Sequence, residues 1–286
     1  MIEGVRFDGR VVLVTGAGRG LGRAYARLLA ERGAYVVLHD AGVSLNGTGA
    51  NPSVADTAVN EIRQRGGTAI AAYENLASPD ACRALVERAL AELGGLDALV
   101  NNAGLVQFAG VEATDEAIWR QIMHVNLDAP FWLSRAAFPV MKRQGFGRIV
   151  MTVSGQGLDR DSSDDLTAYC VSKAGLFGLM NALAAEGTPH GIRVNAISPV
   201  AATRIYRRQV EPGELTPEQV APGVVFLASP QCNVSGIVLR AGDGRFSAGQ
   251  YVSGPSIDFG RTPTRPETIA TRWKELVASA PGPARS

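Results

Sequence analysis

Short apolar runs alternate with longer segments of helical period along this chain. Val11 to Thr15, Tyr35 to His39, Thr68 to Ala72, Leu96 to Asn101, Arg148 to Val153, Ile192 to Ser198 and Ile237 to Arg240 carry the runs. The first six are nearly continuous in apolar residues, as parallel strands covered on both faces are. Between them, Leu21 to Arg32, Val54 to Arg65, Pro79 to Leu93, Asp115 to Arg143, Leu166 to Gly187 and Thr216 to Ala228 show helical patterning. Ser78-Pro79-Asp80 is a helix start signal, and Gly33, Gly66 and Gly94 are stop signals. Strand–helix–strand repeated in this way predicts an α/β fold, a single doubly wound parallel sheet of about seven strands. No break in composition divides the chain. We therefore expect one domain over 1–286, with a core at about 5–245, a C-terminal extension at 246–286 and a disordered tail at 280–286.

Two stretches interrupt the pattern. Residues 41–53 (AGVSLNGTGANPS) form a long Gly/Asn/Ser loop after the second strand, and residues 155–166 (GQGLDRDSSDDL) follow the fifth with four aspartates. Both leave the carboxyl end of a strand, the edge where open α/β sheets place their ligands.

Composition narrows the function classes. Glycine supplies 33 of 286 residues, and charged residues are only 19% against 46% hydrophobic, which excludes a disordered chain. The net charge of +1 gives no field that recruits nucleic acid or an anionic membrane. Cys82, Cys170 and Cys232 lie far apart without zinc spacing, and the three histidines share no metal-ligand spacing, so no metal is expected. The opening residues hold no apolar leader and no run approaches a membrane span; the expected location is cytoplasmic. Of the 28 basic residues only Lys142, Lys173 and Lys274 are lysines, so a lysine at a suggestive position carries weight.

Residues 15–22 (TGAGRGLG) join the first strand to the first helix. Glycine there lets the backbone turn sharply and approach a pyrophosphate, while the helix start offers free N–H groups and positive dipole. A tight turn alone would also explain the glycines, but their place in the first βα unit favours a dinucleotide site of Rossmann type. Asp40, 18 residues beyond Gly22, ends the second strand. Its carboxylate can accept both ribose hydroxyls and repel a 2′-phosphate, pointing to NAD, although Asp is also a common turn former. Arg19 can accept a 2′-phosphate and keeps NADP open.

Tyr169 and Lys173 stand at i and i+4 on one helix face. An ammonium beside a phenol favours the phenolate, which could take the proton of an alcohol. Alone the pair reads as an exposed helical pair; the scarce lysines and the glycine loop turn the reading towards chemistry. Ser154 closes the fifth strand, residues 101–104 (NNAG) end the fourth, and Asn126 sits inside a helical segment where Asn is unfavourable.

Together these residues resemble the short-chain dehydrogenase/reductase family over about residues 5–245. TGAGRGLG at 15–22, Asp40, NNAG at 101–104, Asn126, Ser154, YCVSK at 169–173 and Ser-Pro at 198–199 carry the resemblance. It implies a catalytic set of Asn126, Ser154, Tyr169 and Lys173. Tyrosine would be the base, serine would orient the substrate oxygen, lysine would bind the nicotinamide ribose and lower the tyrosine pKa, and asparagine would hold a water. It implies cofactor contacts from Gly16, Gly18, Arg19, Gly20, Leu21, Gly22, Asp40, Asn75, Leu76, Asn102, Ala103, Gly104, Tyr169, Lys173, Pro199 and Thr203, and a homodimer or homotetramer. A narrower similarity, to the (3R)-hydroxyacyl-CoA dehydrogenase unit of peroxisomal multifunctional enzyme type 2, rests on the opening residues, the insertion at 41–53, Val220-Ala221-Pro222 and residues 266–273 (PETIATRW). It implies an acyl-CoA substrate oxidised with NAD, in lipid metabolism. An NADPH-linked 3-oxoacyl reductase and a hydroxysteroid dehydrogenase are the alternatives on the same residues.

Three departures from the family pattern stand out. Pro199-Val200 replaces the usual Pro-Gly, the Ser154–Tyr169 gap is 15, and Asn75 replaces an aspartate expected to meet adenine. Residues 203–208 (TRIYRR) read either as a solvated helix face or as arginines meeting coenzyme A phosphates. The aspartates at 159, 161, 164 and 165 are expected to point away from such an anion or to cover the acyl end of the pocket.

Overall fold

The computed structural model describes residues 4–44, 47–159, 162–204, 206, 209–249, 256–261 and 263–278. By internal contact it divides into two compact units, Met1–Gly249 and Gln250–Ser286, where one domain with an extension was expected. The tail at 280–286 lies outside the described residues.

The first unit holds strands β1 (Val11–Thr15), β2 (Tyr35–His39), β3 (Thr68–Ala72), β4 (Ala98–Asn101), β5 (Gly147–Thr152), β6 (Ile192–Val200), β7 (Val238–Gly242) and β8 (Arg245–Gly249). They form one sheet in the order β3-β2-β1-β4-β5-β6-β7-β8. All pairings are parallel except β7 with β8. The apolar runs explain the parallel part, since β1 and β5 are buried at every position and need helices on both faces. β8 is the strand that apolar patterning misses. Its residues are exposed almost throughout, so no core selects them. The turn at Asp243 and Gly244, both at positive φ, folds it back on β7.

The helices are α1 (Gly20–Glu31), α2 (Ser53–Gln64), α3 (Pro79–Leu93), α4 (Glu116–Met123), α5 (Ala129–Gln144), α6 (Gly155–Leu158), α7 (Thr167–Gly187) and α8 (Pro217–Ala228). Ser78 caps α3 by accepting from Ala81 N–H at 3.2 Å, as its sequence signal predicts. One core packs Val12, Val14, Tyr25, Leu29, Val36 and Val224 on one face of the sheet. A second packs Leu13, Leu85, Leu99, Leu133, Ile149 and Met180 on the other.

The long helix expected over 115–143 is interrupted. α4 and α5 are joined by a π-helical turn, His124–Asp128, which contains Asn126. Pro130 supplies a physical reason. An α-helix would direct the N–H of residue 130 at the Asn126 carbonyl, and proline has none.

The second unit contains α9 (Pro266–Thr271) and α10 (Trp273–Ala278), with an Arg272–Glu275 ion pair at 2.6 Å. Among the described residues no helix is long and apolar enough to cross a membrane.

Candidate active site

The strand order reverses between β1 and β4, which opens a crevice at their carboxyl ends. The chain following β1 and the chain following β4 are sewn together there. The Thr15 hydroxyl accepts from the N–H groups of Asn102 and Ala103, each at 3.0 Å. The Asn102 amide donates back to the carbonyls of Thr15 at 2.9 Å and Gly16 at 3.0 Å. Gly16 adopts φ +62, and a Cβ on it would lie 2.8 Å from the Ala103 backbone. A Cβ on Gly22 would lie 2.3 Å from the Gly16 carbonyl oxygen. Side chains are excluded here by both conformation and contact.

Asp40 stands beside that loop. Its Oδ2 accepts from Gly18 N–H at 2.9 Å and its Oδ1 from Gly42 N–H at 2.8 Å. The carboxylate therefore braces the glycine loop and the loop after β2, and each oxygen keeps a second lone pair for a ligand.

Asn75 follows β3 and lines the cavity. Its amide oxygen caps its own loop, accepting from Ala77 N–H at 3.1 Å, and the residue is exposed. The polar atoms without a partner at this end belong to Glu74 (Oε2) and His39 (Nδ1), two cavity-lining residues that sequence reasoning did not select. The other His39 nitrogen donates to the Glu74 carbonyl at 2.7 Å, and burial pushes the imidazole pKa down. Leu76 is buried beneath them.

Asn126, Ser154, Tyr169 and Lys173 meet across the crevice. Asn126 is buried, accepts from Leu105 N–H at 2.8 Å and donates to the Leu105 carbonyl at 2.9 Å. Its amide also donates to the Ser172 hydroxyl at 3.2 Å. Ser154 follows β5 and caps α6 by accepting from Gln156 N–H at 3.2 Å, and its hydroxyl is close enough to the Tyr169 phenol to pull that pKa down. The buried Lys173 ammonium donates to the Thr152 carbonyl at 2.8 Å and lies 5.6 Å from the Tyr169 ring centre. Gly104 sits between two of these groups: a Cβ there would be 3.4 Å from Asn126 Oδ1 and 3.5 Å from Lys173 Nζ.

Burial dominates the electrostatics. It raises the Tyr169 pKa, with the Ser154 hydrogen bond pulling the other way, and lowers that of Lys173 to about 8. The resting site thus keeps the phenol above its ordinary value, with burial as the largest cause.

The substrate side also departs from expectation. Pro199-Val200 needs no glycine, because β6 runs on through Val200 in extended pairing with Gly242 of β7. The glycine has moved to the partner strand: a Cβ on Gly242 would lie 2.9 Å from the Val200 Cβ. Asp159 lines the cavity and its carboxylate pairs with Arg240, one bond being 2.9 Å. Asp161, Arg207 and Arg208 lie outside the described residues. Arg204 does not face the substrate side; it donates to the Val43 carbonyl at 3.1 Å, at the Asp40 end. Thr203 packs over Gly20, its Cγ2 3.4 Å from where a Cβ would be.

One cavity of about 730 Å3 runs from the glycine loop and Asp40 to Ser154, Tyr169 and Lys173, while Asn126 and Gly18 are not in its lining. Its size is that of a small-molecule site. Arg19, Gly20, Leu21, Asn75, Leu76, Asn102, Ala103, Pro199 and Thr203 contribute to the lining. Among the described residues no group of His, Cys, Asp and Glu is placed to hold a metal ion.

Comparison with known proteins agrees with this geometry. Residues 10–212 match the short chain dehydrogenase family. A protein of Mycobacterium tuberculosis described as a short-chain type dehydrogenase/reductase is 37% identical over 270 residues, 93% of each chain. Peroxisomal multifunctional enzyme type 2 of Mus musculus is 38% identical over 282 residues, 96% of this chain but only 38% of that protein's length. A crystal structure of a short chain dehydrogenase from Mycobacterium avium superposes with a TM-score of 0.85 at 36% identity, covering 98% of both chains.

Proposed function

The chain belongs to the short-chain dehydrogenase family, and from that premise we propose that it is an NAD(H)-linked dehydrogenase interconverting a (3R)-3-hydroxyacyl-CoA and its 3-oxoacyl-CoA. The single observation that carries the reaction is that Tyr169, with the Lys173 ammonium beside its ring, lines together with Ser154 the cavity that begins at the glycine loop. The similarity to peroxisomal multifunctional enzyme type 2 supports the substrate class.

Proteins of this family generally bind nicotinamide dinucleotides. The residues fit that group: close packing at Gly16 and Gly22 leaves bare backbone at the start of α1, where a diphosphate is welcome. Asp40 would accept the ribose hydroxyls, His39 and Glu74 have unpaired atoms for the base, and Asn102 to Gly104, Pro199, Thr203, Tyr169 and Lys173 would hold the remainder. When bound, the nicotinamide ring supplies the hydride acceptor or donor.

The chain's own residues handle the proton. Ser154 Oγ hydrogen-bonds the substrate oxygen and fixes it against Tyr169. In oxidation the carbinol proton passes to Tyr169 Oη; in reduction the same atom returns it. Because burial keeps the phenol protonated, the resting site is ready for reduction, and oxidation requires the proton to leave first. Lys173 holds positive charge beside the ring and so favours the phenolate. Asn126 fixes Leu105 through two of its side-chain bonds and would hold a water that links Lys173 to solvent.

Steady-state oxidation of (3R)- and (3S)-3-hydroxyacyl-CoAs, free secondary alcohols and hydroxysteroids, each with NAD and NADP, tests the proposal. The (3R)-acyl-CoA with NAD should give the highest kcat/KM. A hydroxysteroid or a (3S)-substrate that equals it overturns the substrate class.

A further inference from the structure

Ser172 shares the inward face of α7 with Tyr169, three residues before it, and with Lys173, and it is completely buried. Its hydroxyl is used twice. It donates to the Tyr169 carbonyl at 2.7 Å and accepts from the Asn126 amide at 3.2 Å. The first bond is one that a helical serine makes readily, back to the carbonyl three residues earlier. The second arrives from a different element, the π turn His124–Asp128.

The start of α7 needs such a tie. Leu166 stands at its N-cap, and a leucine side chain cannot accept a backbone N–H. The turn that carries Tyr169 is instead held from outside the helix. On one side Lys173 donates to the Thr152 carbonyl of β5 at 2.8 Å. On the other, Ser172 receives Asn126. One turn further on, a Cβ on Gly175 would lie 2.9 Å from Leu127 Cδ2, so α7 and the π turn are in close contact there. Asn126 is fixed in return. Its amide spends its two N–H donors on the Leu105 carbonyl and Ser172, and its oxygen accepts from Leu105 N–H. Removing the serine hydroxyl would leave a buried donor without its acceptor, which drives local rearrangement.

We propose that Ser172 is a positioning residue, which locks Asn126 to the turn that carries Tyr169 and so sets where the phenol stands relative to the substrate oxygen. The inference deepens the proposed function and rests on its assignment of Tyr169 to proton transfer. Ser172 is not in the cavity lining, so its effect runs through Asn126 and the Tyr169 backbone. A proton-transfer group works only within hydrogen-bond reach of the atom it serves. A small displacement of the turn therefore lowers turnover, while the glycine loop, and cofactor binding with it, stays as it was.

Steady-state oxidation of the substrate that the parent turns over best, with calorimetric NAD binding on the same full-chain preparations, tests this. Ser172→Ala should lower kcat about tenfold, the scale of one lost hydrogen bond, and leave KM and NAD affinity within about twofold. The fold should survive, because alanine is smaller and a better helix former, and thermal melting checks it. Ser172→Thr keeps the hydroxyl and its helical back-bond, and should stay within about threefold of the parent. In an Asn126→Ala background, Ser172→Ala should lower kcat by no more than about twofold further, because the bond is already gone. Should the extra methyl of threonine prevent folding, that background decides. An unchanged kcat in Ser172→Ala, or a loss shared equally with KM and NAD affinity, would overturn the inference. So would a folded Ser172→Thr as slow as Ser172→Ala, or a further loss of about tenfold in the Asn126→Ala background. Tyr169→Phe separates the inference from the reading beneath it. Parent-like activity in that variant removes the proton-transfer role itself, whereas a slow Tyr169→Phe beside a normal Ser172→Ala sinks the inference alone.

Discussion

The two ends of the cavity are built from different materials. At the nucleotide end the polar work is done by backbone, with Thr15, Asn102 and Asp40 each spending side-chain atoms on N–H and carbonyl groups of neighbouring loops. At the catalytic end it is done by buried ionisable side chains whose charged forms burial disfavours, Tyr169 upward and Lys173 downward to about 8. A backbone cradle is satisfied before any ligand arrives. A half-buried phenol and a buried ammonium are held at a cost in stability, and what they contribute is chemistry. The contrast predicts that changes at the catalytic end alter turnover and pH response, whereas changes at the nucleotide end alter binding.

The largest break in that comparison would come from Tyr169→Phe. Turnover should fall by about 10²–10⁴-fold, the range for a general acid–base group, with NAD affinity within about threefold of the parent. Steady-state rates and calorimetric binding on the same preparation check both halves. Residual activity within about threefold of the parent would remove Tyr169 from the proton transfer.

How far the sequence exposes these two ends depends on how each is made. Strands such as Val11–Thr15 and Gly147–Thr152 are legible because complete burial writes an apolar run. β8 is not, because an exposed strand held by a turn leaves no such mark. The glycine loop and Tyr169 with Lys173 are legible because close backbone approach demands glycine and the chemistry demands those side chains. Glu74 and His39 are not, since their unpaired atoms arise from position alone. The π turn around Asn126 was concealed by a periodicity that continues through it, although Pro130 marked the place. Arg204 shows the limit: its charge was plain, but the end of the cavity it serves follows from its contact with Val43.

Next in size is a pH effect confined to the catalytic end. Lys173 has a folded pKa of about 8, against about 10.4 for an ordinary lysine. Between these values the unfolded chain holds the extra proton, so the contribution of Lys173 to stability should rise with pH across that window, against an opposite contribution from the Cys82 thiol, which burial raises to about 11. The rise should be on the order of 3 kcal/mol. Urea denaturation from pH 7.5 to 10.5 should show it as the difference between the parent and Lys173→Met, in which the Cys82 contribution cancels. Equal slopes in the two proteins would mean that water reaches the ammonium. Oxidation rates should also climb with pH, because the raised phenol must lose its proton first.

At the nucleotide end, Asp40→Ala should shift the NAD-to-NADP affinity ratio by about 10- to 100-fold towards NADP, mostly through binding. Removing the carboxylate loses the ribose hydroxyl contacts and relieves repulsion of a phosphate. It also frees Gly18 and Gly42 N–H groups, so some loss of NAD affinity should appear as well. A variant whose kcat falls while both affinities stay put would contradict the division of labour between the two ends.

The smallest effect lies at the rim of the catalytic end. Asp159 lines the cavity and pairs with Arg240 of β7, with side-chain exposures of 40% and 45%. A pair that open to water contributes only about 0–1 kcal/mol to stability. Its consequence for an anionic substrate is different, because Arg240 cancels a carboxylate that would otherwise face the incoming acyl-CoA. Arg240→Ala should therefore raise KM for a 3-hydroxyacyl-CoA by about two- to fivefold, with kcat within about twofold. The double variant with Asp159→Asn should recover the parent KM, since the uncovered charge is then gone. Added salt should shrink the single-variant effect, because charges at the rim are screened within about 10 Å at moderate ionic strength. The double variant separates charge from shape. If KM stays high in it, the ion pair matters because it holds the end of α6 in place, and the rim would then resemble the nucleotide end, where charged groups serve mainly to fix loops.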